Sequence, residues 1–426
     1  MRYELAAAHS YLVPHPSYPG KITAVLLLLA LLSFVPHDTG LPRTGMWRHG
    51  FAVADMNGDG RPDLVFTSPR KQPGPPVIFL NQGSGQWARW ETAQFPALAF
   101  DYGAVAAADF DGNGTSDLAV ASHYRGVIVL LGDGNGTFTA APGGFTFPAS
   151  SRESAPFTSR ALTVTDWNAD GRPDVAALSD GPRPGNPNVQ LGVTVYENLG
   201  SAWKPARALL SDVIFGDAIA AGDLDGDGLA DLVTASHNTN DRRVLRLGSD
   251  GALVRRELET LLPAAVVHAA DLRDFDGDGR DEAVVSYSAT GASGTGLLEL
   301  LSFPAGSRPA RRLWSEQGAE VAAIATGDLN GDGAADLVAA LEDGRLLTFR
   351  GDGTGSATPD AGIHPPEWRS GCAAYAVRIA DLDGDARGEI IAVFAGESSR
   401  CASEGGIEVW RTAVQQGPSR KRSVRH

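Results

Sequence analysis

Seven copies of a nine-residue acidic stretch, beginning 51 to 57 residues apart, predict an all-β chain: a seven-bladed β-propeller of four-stranded antiparallel blades. A period of that length is too long for one solenoid coil and suits one blade. Each copy is followed by a short apolar run, such as Asp117-Leu118-Ala119-Val120-Ala121, that reads as a strand. The 51 glycines among 426 residues suit short strands joined by tight turns.

The stretch is clearest at Asp223-Leu224-Asp225-Gly226-Asp227-Gly228-Leu229-Ala230-Asp231, and the other copies begin at Asp55, Asp109, Asp166, Asp274, Asp328 and Asp381. Carboxylate or amide oxygens stand at positions 1, 3, 5 and 9, with glycine at position 6 in six copies. Hard cations such as calcium take six to eight oxygens at about 2.3–2.6 Å. Alternate side chains aim at one point only where the chain curls tightly, which glycine permits. An EF-hand is excluded, because it needs a bidentate Glu at position 12 and a helix on each side. Position 12 holds Phe66, Val120, Ala177, Thr234, Val285, Ala339 and Ala392, all within apolar runs. The ligand at position 9 therefore opens a strand, and the loop joins the first two strands of a blade, A and B.

Taken in order, residues 1–36 read as a signal peptide or N-terminal anchor. Lys21 precedes a 14-residue apolar run, Ile22 to Val35, which falls short of the ~20 residues that span a bilayer. Residues 41–413 read as the propeller. In the second unit Ala104–Phe110 leads into the loop and Leu118–Ser122 leaves it; Val127–Leu131, the turn Gly132–Gly136 and Thr137–Thr139 complete the blade. Third strands are expected at Val77–Leu80, Val193–Tyr196, Val244–Leu247, Leu297–Leu301, Leu346–Phe349 and Ile407–Trp410. The seventh unit ends after its third strand, so a strand from about Pro42–Arg48 is expected to complete it and close the ring. Closure leaves no blade edge free to aggregate. Residues 414–426 read as a disordered basic tail.

With these loops in place the chain resembles FG-GAP/VCBS repeat proteins, whose seven-bladed form is known from the integrin α-subunit head. Gly222 to Gly228 followed by Asp231-Leu232-Val233-Thr234-Ala235 carries the likeness, with Arg61-Pro62-Asp63-Leu64-Val65 and the turn Leu130 to Phe138. The resemblance implies calcium in up to seven A–B loops, in a structural role. It assigns side-chain ligands to Asp55, Asn57, Asp59 and Asp63; Asp109, Asp111, Asn113 and Asp117; and Asp166, Asn168, Asp170 and Asp174. It continues through Asp223, Asp225, Asp227 and Asp231; Asp274, Asp276, Asp278 and Glu282; Asp328, Asn330, Asp332 and Asp336; and Asp381, Asp383, Asp385 and Glu389. The seventh loop departs from the pattern with Ala386 at position 6, and it is expected to be the weakest site. The resemblance also implies that a partner or ligand binds the face opposite these loops.

The formal charge of −15 first suggests a cationic partner, but 24 of the 51 carboxylates stand at the loop ligand positions. Seven divalent ions would nearly cancel that charge, so the acidity reads as ion ligation and argues against nucleic acid. Neither a zinc-ligand spacing nor a phosphate-binding or nucleophile-elbow motif occurs.

On the opposite face the D–A and B–C connections vary in length, and function concentrates in such loops. Arg48, His49, Asp101, Tyr102, His123, Tyr124, Asp217 and His237 are expected near its central mouth as ligand-binding residues. Trp87, Trp90, Trp203, Trp314 and Trp368 are aromatics that either stack on sugars or pack the outer strands. Cys372 and Cys401 fall in two connections on this face of the last blade, within reach of a disulfide suited to an exported chain. The reading is an exported, monomeric adhesion scaffold for a glycan or an extracellular protein, with no membrane span beyond an N-terminal anchor. The alternative is a polysaccharide lyase in which His or Tyr takes a proton while Arg48 steadies a carboxylate.

Overall fold

The computed structural model describes residues 32–143, 145, 156–182, 189–206, 214–236, 243–247, 253–257, 259–290, 294–302 and 309–413. Most of the expected leader, the basic tail and His237 lie outside the described residues. No helix among the described residues is long and apolar enough to cross a membrane.

The described strands form seven four-stranded antiparallel sheets, each a blade. Blade 2 shows the pattern: A is Val105–Ala108, B is Asp117–Ser122, C is Gly126–Gly132 and D is Phe138–Ala140. The B strands are buried along their whole length, as in Asp174–Ser179 and Asp336–Leu341. A strand enclosed on both faces needs no polar alternation, which is why these segments are near-continuous apolar runs. The A strands meet around the axis and are rich in alanine; Ala104, Ala161, Ala218, Ala323 and Ala376 line a central cavity of about 340 Å³. The outer D strands bury one face, as in Trp87–Arg89.

Seven hydrophobic clusters hold the ring, one in each seam between neighbouring blades. The seam between blades 7 and 1 is as full as the others, with Leu382, Ile391 and Val409 against Phe51, Leu64 and Phe66. Arg378 of blade 7 donates from Nε to the Phe51 carbonyl of blade 1 at 2.6 Å.

Closure is made by a different segment from the one expected. Phe34–Pro36, at the end of the apolar run, is the fourth strand of blade 7 and pairs with its C strand Gly405–Thr412. Pro42–Arg48 forms no strand. Pro42 lacks an N–H to donate, whereas Phe34 and Leu32 pack onto the cluster that contains Trp410. The intervening residues cross the seam: Thr39 bonds Gly85 and Trp87, and Leu41 and Trp47 sink into its core.

Candidate functional site

Each A–B loop is built by its own side chains. The first aspartate turns back onto the loop, as Asp55 accepts from the backbone N–H groups of Asp59 and Gly60 at 3.1 and 2.7 Å. Asp223 and Asp274 do the same for Gly228 and Gly279, each at 2.9 Å. Position 4 is left-handed as well as position 6: Gly58 has φ 70° and Gly60 φ 84°. Two residues with side chains are forced into that region, Ala169 (φ 57°) at position 4 and Ala386 (φ 67°) at position 6.

The residue at position 9 is buried in every loop. Asp117 accepts from the Phe110 and Gly132 N–H groups, both at 2.7 Å, so it ties the loop to both its own blade's B and C strands. Burial pushes Asp63, Asp117, Asp174 and Asp336 up to about 6, and Glu282 and Glu389 up to about 7, with backbone donors pulling the other way.

Position 2 carries a role that the ligand pattern hides. Met56, Phe110, Trp167, Leu224, Phe275, Leu329 and Leu382 are all buried, each in the seam with the following blade. The loop backbone is also bonded across seams, as Asn81 Nδ2 donates to Leu382 O at 2.9 Å and Asn198 Nδ2 to Phe110 O at 2.7 Å. The acidic loops are therefore clamps between blades.

The donor sets are not equal. Carboxylate oxygens of Asp109, Asp111 and Asp117, of Asp223, Asp225 and Asp231, of Asp274, Asp276 and Glu282, and of Asp381, Asp383 and Asp385 come within 4.8 Å of one another. Like charges so close cost on the order of several kcal/mol at an effective dielectric of about 20, and a hard divalent cation fits such a set. In the first, third and seventh loops an arginine at position 7 pairs with position 5: Arg61 with Asp59, Arg172 with Asp170 and Arg387 with Asp385, at 2.5, 2.5 and 2.6 Å. The second, fourth and fifth loops each bring three carboxylates together.

The opposite face is organised by the A strands. The residue six before each loop is His49, Gly103, Arg160, Asp217, His268, Ala322 and Tyr375. In blades 3 to 7 the A–B register skips at this position, between Ser159 and Ala161, Gly216 and Ala218, Val267 and Ala269, Val321 and Ala323, and Ala374 and Ala376. A bulge re-aims its extra residue, and here Asp217, Ala322 and Tyr375 line the cavity mouth.

Next to this ring the sequence-expected residues come together in blades 1 to 3. His49 stacks on Tyr102 at 5.1 Å, Tyr102 lies 4.8 Å from His123, and His123 lies 3.8 Å from Tyr124. His123 Nδ1 meets Asp180 Oδ2 at 2.5 Å, and Thr158 Oγ1 donates to Asp180 Oδ1 at 2.7 Å. An ionised Asp180 only accepts, so Nδ1 carries a proton in this contact. Arg160 pairs with Asp217 at 2.8 Å, Arg70 lies over the Tyr102 ring at 5.4 Å, and Arg48 lies over Tyr375 at 4.4 Å. Asp101 accepts from the Tyr102 N–H at 2.9 Å. Burial, then Arg160 and Arg48, hold His49 well below the usual imidazole range.

Asp180, Arg70, Arg160 and Tyr375 were not foreseen. Superposing the repeats finds two of them, since Arg160 and Tyr375 share the His49 position. Asp180 likewise follows Ser179 as His123 follows Ser122.

The tryptophans do not form a sugar platform. Trp87 and Trp203 are buried, and Trp203 meets Phe110 edge-on at 5.4 Å. Trp90 and Trp314 are half-buried against the seams, and Trp368 lies under Arg43 at 5.5 Å. Cys372 and Cys401 form a disulfide with Cα atoms 4.7 Å apart.

A closed ring of seven blades, each with an aspartate-rich A–B loop and with polar side chains gathered on the other face, defines the class: a propeller built from acidic-loop repeats. The family model described as an FG-GAP-like repeat matches residues 55–120, 109–177, 166–234, 223–285 and 328–392, and the chain belongs to that family. Among solved structures it is similar to BBS1N in complex with ARL6DN, soaked with lead, at a TM-score of 0.54 and 12% identity over 90% of this chain and 97% of that one. The mercury-soaked crystal gives a TM-score of 0.52 and 12% identity over 91% and 97%. At that identity the likeness is one of fold. No curated protein sequence matches the chain.

Proposed function

We propose that the chain is an exported, calcium-stabilised propeller whose loop-free face binds a protein partner. The observation that carries this reading is the gathering of His49, Tyr102, His123, Tyr124, Arg48, Arg70 and Arg160 at one mouth of a rigid ring. The solved propellers of similar fold are in complex with a protein, which supports a protein rather than a glycan as the ligand class. Calcium would be held by the acidic loops, with Asp109, Asp111 and Asp117 as one set, and would supply the charge that their carboxylates lack. Export is supported by the cation and apolar run of residues 21–35 and by the disulfide, since such bonds persist in oxidising compartments.

The test is crosslinking mass spectrometry of the calcium-loaded chain in extracellular extract. Crosslinks concentrated on the loop-free face support the reading. Crosslinks on the loop face, or capture of glycans without protein, would overturn it.

One observation favours the second reading, a polysaccharide lyase: the His123–Asp180 pair engages Nδ1, so a neutral imidazole there would offer Nε2 as the base. Ultraviolet absorbance of unsaturated products from uronate-containing glycans, lost in His123→Ala, would establish it.

A further inference from the structure

We infer that the blade 1–3 sector of the loop-free face is a carboxylate site, in which Arg70, Arg160 and His49 receive an acidic side chain of the protein partner. This rests on the scaffold reading and specifies the chemistry of its ligand.

Two buried nitrogens point to the ligand. Arg160 Nε and His49 Nε2 are both buried without a hydrogen-bond partner among the described residues. Arg160 is a permanent cation, so its Nε always carries a hydrogen to donate. Its Nη2 is occupied by Asp217. His49 is kept neutral by its burial and by Arg160, so it offers one N–H, and an incoming anion selects the tautomer that places it on Nε2. Buried polar atoms in folded proteins are nearly always partnered, and two unpartnered ones on residues that act electrostatically on each other fit an acceptor carried in from outside.

The charge around them has the right sign. Arg70 and Arg160 both act on His49 and Tyr102, and Arg70 is exposed. No carboxylate lies within ion-pair distance of Arg70 among the described residues. The nearby acids are committed: Asp217 to Arg160, Asp180 to His123 and Thr158, and Asp101 to the Tyr102 N–H.

The net charge of −15 does not forbid an anionic ligand here. The acidic loops occupy the other ends of the strands. B strands of six to eight residues span about 20 Å, more than twice the roughly 8 Å screening length at physiological salt. The local arginines therefore decide which ligand is attracted. Planar guanidinium groups and an imidazole N–H in one sector suit the oxygens of a carboxylate.

The probe is a fluorescein-labelled glutamate-rich peptide, followed by anisotropy with the full calcium-loaded chain. Saturable binding is expected, weakening between about 20 and about 150 mM salt. Arg70→Glu and His49→Phe should each weaken it on the order of tenfold, the second while keeping the ring stack on Tyr102. Arg89→Glu, on the outer strand of blade 1, should leave it unchanged. The inference is overturned if the peptide does not bind, if a lysine-rich peptide binds equally well, or if neither variant weakens binding. Binding of a uronate oligosaccharide that the peptide cannot displace also overturns it and assigns the site to a glycan. Should a captured partner protein bind wild type and the Arg70→Glu/His49→Phe double variant alike, the carboxylate site fails while the scaffold reading stands.

Discussion

Phe34 lies opposite Thr412 in an antiparallel ladder, which gives the seventh blade a fourth strand drawn from the other end of the propeller. The same segment supplies the His37 N–H bond to Val409 O at 2.8 Å and receives the Trp87 indole on His37 O at 3.0 Å. A chain beginning at Leu32 keeps this strand and serves as the reference. One beginning at Leu41 loses the strand and its bridges and should be less stable by about 3–5 kcal/mol, at roughly 0.5–1.5 kcal/mol per hydrogen bond. It should also aggregate through the exposed edge of the C strand. Equal midpoints for the two truncations would show that closure does not depend on Phe34–Pro36.

Ala386 sits where six other loops have glycine, at φ 67°, yet its N–H still reaches Asp381 at 2.9 Å. The left-handed conformation costs a residue with a Cβ about 1–2 kcal/mol. Glycine returns about 0.4–1 kcal/mol of that through greater freedom in the unfolded chain. The difference favours glycine, so Ala386→Gly should stabilise the protein by roughly 0.5–1 kcal/mol, read from denaturant midpoints. Ala169→Gly should act alike at position 4. A destabilised Ala386→Gly would mean that the loop gains something from the methyl group.

Much of this architecture is legible in the sequence because the repeat marks it seven times. Carboxylates at fixed offsets locate the A–B turns, and strands such as Val193–Asn198 fall where the period places them. The closing strand was obscured because Phe34 and Val35 belong to an apolar run that reads equally as a leader core. Trp203 looked available to sugars because an outer strand is exposed within its own blade, but the neighbouring blade covers it with Phe110. The His123–Asp180 contact joins two blades, and nothing local to either residue announces it. The alternating loop pattern also drew notice to the ligand positions and away from position 2, where Met56 and its equivalents couple each loop to a seam.

If the loops hold calcium as proposed, that coupling should make stability depend on pH and calcium together. Asp63, Asp117, Asp174 and Asp336 have folded values near 6, and Glu282 and Glu389 near 7, whereas unfolded carboxyls titrate near 4. Between about pH 4 and 7 the folded chain thus binds more protons than the unfolded one, and stability falls as pH rises. A bound divalent cation favours the ionised form and reverses the trend. In chelator, the melting temperature should drop by roughly 5 °C or more from pH 5 to pH 7.5. Calcium should raise it far more at pH 7.5 than at pH 5. Equal calcium effects at both values would break the link between these carboxylates and the ion.

Arg369 is fully buried beside the disulfide. Its Nε donates to Glu408 at 2.8 Å, its Nη1 to Gly344 O at 2.7 Å, and the guanidinium lies 3.7 Å from the Phe394 ring centre. Burial lifts Glu408 to about 7 against the pull of Arg369. Two desolvated charges contribute little net stability together, but removing one strands the other. Arg369→Met should therefore destabilise the last blade by about 3–5 kcal/mol at pH 7.5, and less at pH 5.5, where Glu408 can take up a proton. The double variant Arg369→Met/Glu408→Gln should recover most of that loss at both pH values. Urea midpoints of the two variants and wild type decide the matter: additive losses in the double variant would mean that the two side chains act separately.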